Sequence, residues 1–450
     1  MARRIWKTAL FTLALAGCAD DDADLGDDTE GSSGTTSPTS STSSTSSTTD
    51  ASASGSSSST TGTTSGSTGE DTDGGSTGGT GGEAKPDLGA TPNVLCEAST
   101  ALMQTIIDEN AQANPDAAVI EEAYLGMDGT GTALQDFVRF YGAWLGRVED
   151  AVLLDDQAIL TALSGNPTDE DLVDVETTIT TLMSLAVRGR LGQVASALPD
   201  ADRDPAILYA QWDDAYCYWD AILRPLAQEA DAEGIDTFLG IEEEIDAGFL
   251  RGHDGIEGVQ PWAPDEFELP PAEQMVEKST FRMWDRLLDK YALEADTNND
   301  ALAARRTFGY FQAVEDRFLG KNTCAIATIE SMLTGNLANI DAAAIAQELN
   351  ITWAKRTRGY ATHAIDNMTV GTAEGYAGSI EGRTYVKAVL YEMSVDPATH
   401  MQLWEDWAQA ILDDDFDAAQ TASTGLTTDI CAYHTTLGLA DCTPDDLCPN

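Results

Sequence analysis

Basic residues are scarce in this chain: 24 Lys and Arg stand against 76 Asp and Glu, for a formal net charge of −52. Phosphate backbones are bound by concentrated positive surface, so nucleic acid is excluded as a partner. The simplest reading of the acidity is a solvated, soluble surface. Histidines number four, and none of the seven cysteines forms a CxxC pair, so a structural zinc site is not expected. His-Glu-x-x-His, a phosphate-binding glycine loop, a dinucleotide fingerprint and a nucleophile elbow are all missing. With no nucleophile–base pair nominated, the expectation is a protein that is not an enzyme. Long strand-like alternation is scarce too, which leaves helices as the main element.

The N-terminus is informative. Arg3, Arg4 and Lys7 precede a short apolar run from Ala9 to Ala16, ending in Leu15-Ala16-Gly17-Cys18. This is the layout of a cleavable secretory signal and is too short to span a bilayer. Small residues before a cysteine resemble the bacterial lipobox, which implies lipid attachment at Cys18. Ala19, rather than Asp, follows that cysteine, so an outer-membrane or cell-surface lipoprotein is expected. From about Asp20 to Lys85 the composition collapses to Ser, Thr, Gly and Asp. Such a stretch cannot bury enough apolar surface to offset its ordering entropy and is expected to be a disordered tether. As a coil of about 55 to 65 residues it would span roughly 40–48 Å. The expected organisation is therefore a signal peptide (1–18), a tether (19–88) and two helical lobes (90–265 and 270–450).

The lobes rest on internal self-similarity. Arg139–Asp150 (RFYGAWLGRVED) matches Arg306–Asp316 (RTFGYFQAVED), and Leu163-Ser-Gly-Asn166 matches Leu333-Thr-Gly-Asn336. Tyr209–Tyr218 (YAQWDDAYCY) matches Tyr376–Tyr385 (YAGSIEGRTY). The three pairs keep their order at an offset of about 166 to 170 residues, which points to duplication. Helix signals agree. Asp204-Pro205 and Asp396-Pro397 are each an N-cap followed by an N1 proline. Leu208, Trp212, Ala215, Trp219 and Ile222 form an apolar stripe at helical spacing. The predicted fold is all-α, with the lobes joined through the Gly- and Pro-rich span from Gly252 to Pro271.

Six cysteines besides Cys18 suggest disulfides in an exported protein, with Cys442 and Cys448 placed to close a local loop. The repeat also nominates chemistry. Asp214 and Tyr218 stand at i and i+4, and so do Glu381 and Tyr385 in the second copy, placing a carboxylate and a phenol on one helix face. That face lies away from the Trp212/Trp219 stripe. Tyr209 and Tyr376 sit just upstream in each copy. Hard cations, ferric iron above all, favour such oxygen donors. Basic residues recur as well, Arg188 and Arg190 in the first lobe and Lys355, Arg356 and Arg358 in the second. They are candidates to hold an anion such as carbonate beside the iron. Surface ion pairing is the plainer role for them. Glu149-Asp150 and Glu315-Asp316 are further candidate ligands, and His363 a lone one. Gly375, Gly378 and Gly382 share a face and are expected to let another helix approach closely.

Trp212-Asp-Asp-Ala-Tyr-x-Tyr218 and Glu381-Gly-Arg-Thr-Tyr385, set in a two-fold helical repeat, resemble the algal iron-assimilating, low-iron-inducible periplasmic proteins, which include the phytotransferrins. The resemblance implies ferric iron binding with carbonate for uptake, with Tyr209, Asp214 and Tyr218 and their counterparts Tyr376, Glu381 and Tyr385 as ligands. An uptake machinery would then be a partner. Cys217 and the glycine-rich second copy depart from the pattern. Gly252-His-Asp-Gly-Ile-Glu257 approximates the Gly-x-His-x-x-Glu mark of the helical imelysin group but lacks its spacing. The alternative is a metal-free helical module that binds a protein or glycan at the cell surface.

Overall fold

The computed structural model describes residues 94–149, 151–196, 204–233, 240–258 and 265–448. The signal segment, Cys18, the tether and Asp150 lie outside these. The described chain is all-α apart from a two-stranded hairpin, β1 (Val148–Glu149) and β2 (Val152–Leu153).

The first half runs α1 (Val94–Asn110), α2 (Ala117–Leu125), α3 (Ala133–Trp144), the hairpin, α4 (Leu154–Ala162), α5 (Asp169–Ala195) and α6 (Pro205–Tyr218). A π-helical turn at Trp219–Leu223 then leads into α7 (Arg224–Glu233) and α8 (Ile241–Glu257). The second half comprises α9 (Leu269–Asn298), α10 (Ala301–Gln312), α11 (Thr323–Thr334), α12 (Ala342–Tyr360), α13 (His363–Asp366), α14 (Ala373–Val389), α15 (Pro397–Leu412) and α16 (Phe416–Thr436). The starts follow local chemistry. Thr168 and Asp171 form a reciprocal capping box on α5. Asp204 and Asp396 each cap a helix whose first residue is proline, as their dipeptides predict.

Packing repeats between the halves. α1 lies against α3, α5 and α6, and α9 against α10, α12 and α14. In both, the long helix carrying the basic residues pairs with the helix carrying the acid/tyrosine pair: α5 with α6, α12 with α14. The halves also share a core. α5 packs on α9 and α10, Thr181 Oγ1 donates to the Gly309 carbonyl at 3.1 Å, and Trp284 Nε1 of α9 donates to Ser184 Oγ at 3.1 Å.

Among the described residues six tryptophans are fully buried. At 150–250 Å² each, removal from water contributes roughly 4–6 kcal/mol per ring before entropy is counted. Several tie helices together through the indole N–H: Trp212 to the Phe249 carbonyl (2.9 Å), Trp219 to Asp246 (2.9 Å) and Trp353 to Asp285 (2.6 Å).

The span read as a joint is helical at its two ends, where Gly252–Glu257 close α8 and Leu269–Pro271 open α9. Gly252 is there for packing, since a Cβ on it would lie 1.9 Å from the Trp212 ring. Cys442 and Cys448 do not pair with each other. The disulfides are Cys96–Cys217, Cys324–Cys448 and Cys431–Cys442. Two cysteines six positions apart in a tail have no claim on each other when α11 and α16 present partners to each. Cys96–Cys217 joins α1 to α6 across a separation of 121 residues, a loop length worth about 4–5 kcal/mol in the chain-entropy account.

Candidate functional site

In the first half, Asp214 is buried within a knot of polar groups. Its Oδ2 accepts from the Tyr141 hydroxyl at 2.5 Å and from Arg190 Nε at 2.8 Å. The Arg190 guanidinium sits 5.1–5.9 Å from the ring centres of Trp144, Tyr141 and Phe140, a setting that favours a planar cation. Tyr218 is fully buried, its ring edge-on to Tyr141 at 5.8 Å. Its hydroxyl lies beside Tyr141 and Ser99. Burial, then the charge of Asp214, pushes the Tyr141 phenol up. Burial also raises Tyr218, with Tyr141 and Asp214 adding to the effect.

The second half reaches a similar set by a different route. Glu381 Oε1 accepts from the Tyr360 hydroxyl at 2.5 Å and lies 2.8 Å from Lys278 Nζ. Burial opposes the Lys278 ammonium, but Glu277 and Glu381 outweigh it and hold the group protonated. Tyr385 stacks with Trp353, Tyr360 and Phe281 at 5.7, 5.8 and 6.1 Å. Its hydroxyl has no hydrogen-bond partner among the described residues. Burial raises this phenol, while Lys278, Arg356 and Arg317 pull it back down. Each half thus gathers one carboxylate, two phenols and one cation: Asp214, Tyr141, Tyr218 and Arg190; then Glu381, Tyr360, Tyr385 and Lys278.

The face carrying each pair lies away from the tryptophan stripe, as the spacing predicts, and is itself buried. α6 is covered on both sides, with Trp212 and Trp219 against Phe249 of α8 and with Asp214 and Tyr218 against α3 and α5. Tyr209 and Tyr376 do not join the pairs. Tyr209 lies on the His253 ring at 4.7 Å, and the Tyr376 hydroxyl accepts from Arg251 at 3.2 Å. Both face α8 instead, because a residue five places before the acid projects from a different side of the helix.

The basic clusters also disperse. Arg190 hydrogen-bonds the acid of its pair, and Arg356 acts on Tyr385 through its charge. Arg188 crosses between the halves to Glu277 at 2.8 Å and Asp316 at 3.0 Å. Asp316 is thereby engaged by Arg188 and by Arg317 at 2.7 Å, and these cations depress its carboxyl against the opposing effect of burial. Arg356 donates to the Arg317 carbonyl at 2.7 Å. Lys355 holds the C-terminal segment through the Thr443 and Asp445 carbonyls, at 3.2 and 2.5 Å. Arg358 donates to Thr362 at 3.2 Å. Glu149 is half-buried in β1, and Glu315, next to Asp316, opens a short 3₁₀ turn. His363 lies 4.0 Å from Glu374. Gly382 fits the close-approach reading, since a Cβ there would lie 2.5 Å from both Trp404 and Tyr360.

Tyr141, Tyr360, Lys278 and Glu277 were not singled out by the sequence. Tyr141 lies inside the repeated RFYGAW stretch, and Tyr360 two places after Arg358. Adjacent opposite charges, Glu277-Lys278, among the six charged residues of Leu269–Leu288, are the one signal for the other two. Among the described residues no group of three or more His, Cys, Asp or Glu side chains is placed to hold a metal ion. No helix there is long and apolar enough to cross a membrane. No protein-family model, curated protein or solved structure matches the chain.

Proposed function

We propose that this is an exported lipoprotein, anchored through Cys18 and held out on its tether, which binds ferric iron with carbonate for iron acquisition. The observation that carries the reading is that the duplicated acid/tyrosine pairs, Asp214–Tyr218 and Glu381–Tyr385, each gather a second phenol and a cation, Tyr141 with Arg190 and Tyr360 with Lys278. Ferric iron is a hard ion that takes carboxylate and phenolate oxygens. Asp214, Tyr141 and Tyr218 would supply them in one half, and Glu381, Tyr360 and Tyr385 in the other. Arg190 and Lys278, now on the carboxylates, would turn to the anion. Because the Tyr141, Tyr218 and Tyr385 phenols are raised, metal must displace their protons, and binding should strengthen with rising pH.

A second reading has its own observation. Each acid already meets a cation at 2.8 Å within a closed core, which suits a metal-free helical module held rigid by two buried polar networks.

Metal analysis of protein purified without chelator, then reloaded with ferric iron and bicarbonate, separates the two. Iron binding predicts two irons per chain, with Tyr218→Phe and Tyr385→Phe each removing about half. No iron at micromolar concentration, with or without carbonate, leaves the metal-free module. For the anchor, Cys18→Ser should move the protein from the membrane fraction to the soluble one with its helical content intact.

A further inference from the structure

Residues 439–448, beyond α16, are tied back onto α11 and α12. Lys355 of α12 donates to the Thr443 and Asp445 carbonyls, and the Leu447 amide donates to the Lys321 carbonyl at 3.2 Å. Asp446 acts as the N-cap of α11. Its Oδ1 accepts from the Thr323 amide at 3.1 Å, and its Oδ2 from the Thr323 hydroxyl. Asn322, which holds the cap position in sequence, makes no capping bond, because its side-chain amide is turned to Glu348 at 2.7 Å. A helix start without its own cap leaves orphan N–H groups. Here they are met by a segment 123 residues further along the chain. The next amide, that of Cys324, donates to Cys448 Sγ at 2.9 Å.

Two disulfides bound this segment. Cys324–Cys448 pins its end to the first turn of α11, and Cys431–Cys442 pins its start to α16. The three bridges differ in exposure. Cys324 is exposed and Cys448 half-buried, and Cys431 and Cys442 are both half-buried. Cys96, bridged to Cys217, is wholly buried in the core. Disulfide exchange requires a thiolate to reach a sulfur, so access sets which bridge opens first. The Cys324 N–H, already on Cys448 Sγ, also meets the charge that arrives there as the bond breaks.

We propose that Cys324–Cys448 is a thiol-exchange site, the bridge that an external dithiol opens first, and that its opening releases residues 443–448 and uncaps α11. A thiolate of the dithiol attacks the exposed Cys324 Sγ, the S–S bond breaks, and Cys448 leaves as a thiolate that takes up a proton. The second thiol of the reductant then displaces Cys324 and closes the reductant's own disulfide. Two electrons and two protons have passed to the protein. Cys431–Cys442 keeps the start of the segment in place. The remainder then rests on hydrogen bonds to Lys355, Lys321 and Thr323, which water replaces once the end is free. This latch is separate from the acid–phenol clusters and does not depend on iron binding.

The test uses the full chain, with dithiothreitol as the dithiol, iodoacetamide to trap freed thiols, and peptide mass mapping. Cys324 and Cys448 should be labelled together, at dithiol concentrations roughly tenfold or more below those that label Cys96 and Cys217. In the same partly reduced protein, hydrogen exchange at the Thr323 and Cys324 amides should quicken by roughly tenfold or more, because both lose their acceptors in the tail. The amides of α1 and α6 should stay protected. Cys324→Ser with Cys448→Ser should show the fast exchange without reductant, and the partly reduced parent gives the same reading with no mutation. Asp446→Ala should quicken Thr323 with the bridge intact. Labelling of Cys96 and Cys217 at the same dithiol concentration, or a freed Cys324 with exchange at Thr323 unchanged, would overturn the proposal.

Discussion

At Glu381, a buried carboxylate is held by one ammonium that it shares with its neighbour on α9: Lys278 contacts both Glu277 and Glu381. Removing the ammonium takes the Lys278 contact from Glu381 and leaves Glu277 with Arg188, both away from water. Lys278→Met should therefore destabilise the fold by about 3–5 kcal/mol, read as a lower urea midpoint with an unchanged slope. Adding Glu381→Gln should recover part of the loss, since it removes the charge that loses that contact. A double change no better than the single would show that the pair is not coupled.

Other acids oppose folding as pH rises. Burial and Glu392 push Asp289 up to about 7. Burial, Glu330 and Asp316 push Glu315 up to about 7 as well. The unfolded chain releases these protons near pH 4 and the folded chain only near 7, so their destabilising effect grows across that window and is complete above it. Glu277 works the other way. Its cations overcome burial and hold it down at about 2, so its contribution is present above its unfolded pKa and lost only as pH falls towards 2. The Asp289→Asn/Glu315→Gln variant should lose less Tm than the parent between pH 5 and 8. An equal loss in both would contradict these assignments.

At the scale of helices, contact distance between α8 and α6 is set by Gly252, whose missing Cβ makes room for Trp212. Gly252→Ala should cost about 1–3 kcal/mol or more through overpacking, measurable by thermal unfolding. A neutral result would mean that α8 can slide off Trp212. This glycine also shows why the sequence misled. Gly, His and Asp in quick succession look like a loop, yet glycines at helix crossings serve packing. The Trp212/Trp219 stripe was legible because apolar periodicity reports one buried face. It cannot report a second buried face made of Asp214 and Tyr218, whose cover comes from α3 and α5. The acid/tyrosine pairs were visible because duplication printed them twice. Lys278 was not, because its partner Glu381 lies about a hundred residues away and nothing local marks the pairing. The tail disulfides were misjudged for the same reason, nearness in sequence standing in for nearness in space.

For the molecule as a whole, duplication has produced two halves with matching packing around α1 and α9 but a common core. Arg188 of the first half is neutralised by Glu277 and Asp316 of the second, and α8 lies along α9. A fragment of residues 94–265 should therefore fail to fold alone, showing broad, non-cooperative unfolding by circular dichroism, and co-expression with 266–450 should restore it. A cooperative, fully helical fragment would instead mean independent lobes.

The central claim is that the acid–phenol clusters bind ferric iron, and a phenolate bound to ferric iron has a visible charge-transfer band. Titrating the chelator-free protein with ferric iron in bicarbonate should raise that band to saturation at two irons per chain. It should bleach as acid returns the protons to Tyr141, Tyr218, Tyr360 and Tyr385, and halve in either Tyr218→Phe or Tyr385→Phe. A colourless titration, or a band that survives the two changes combined, would contradict the account.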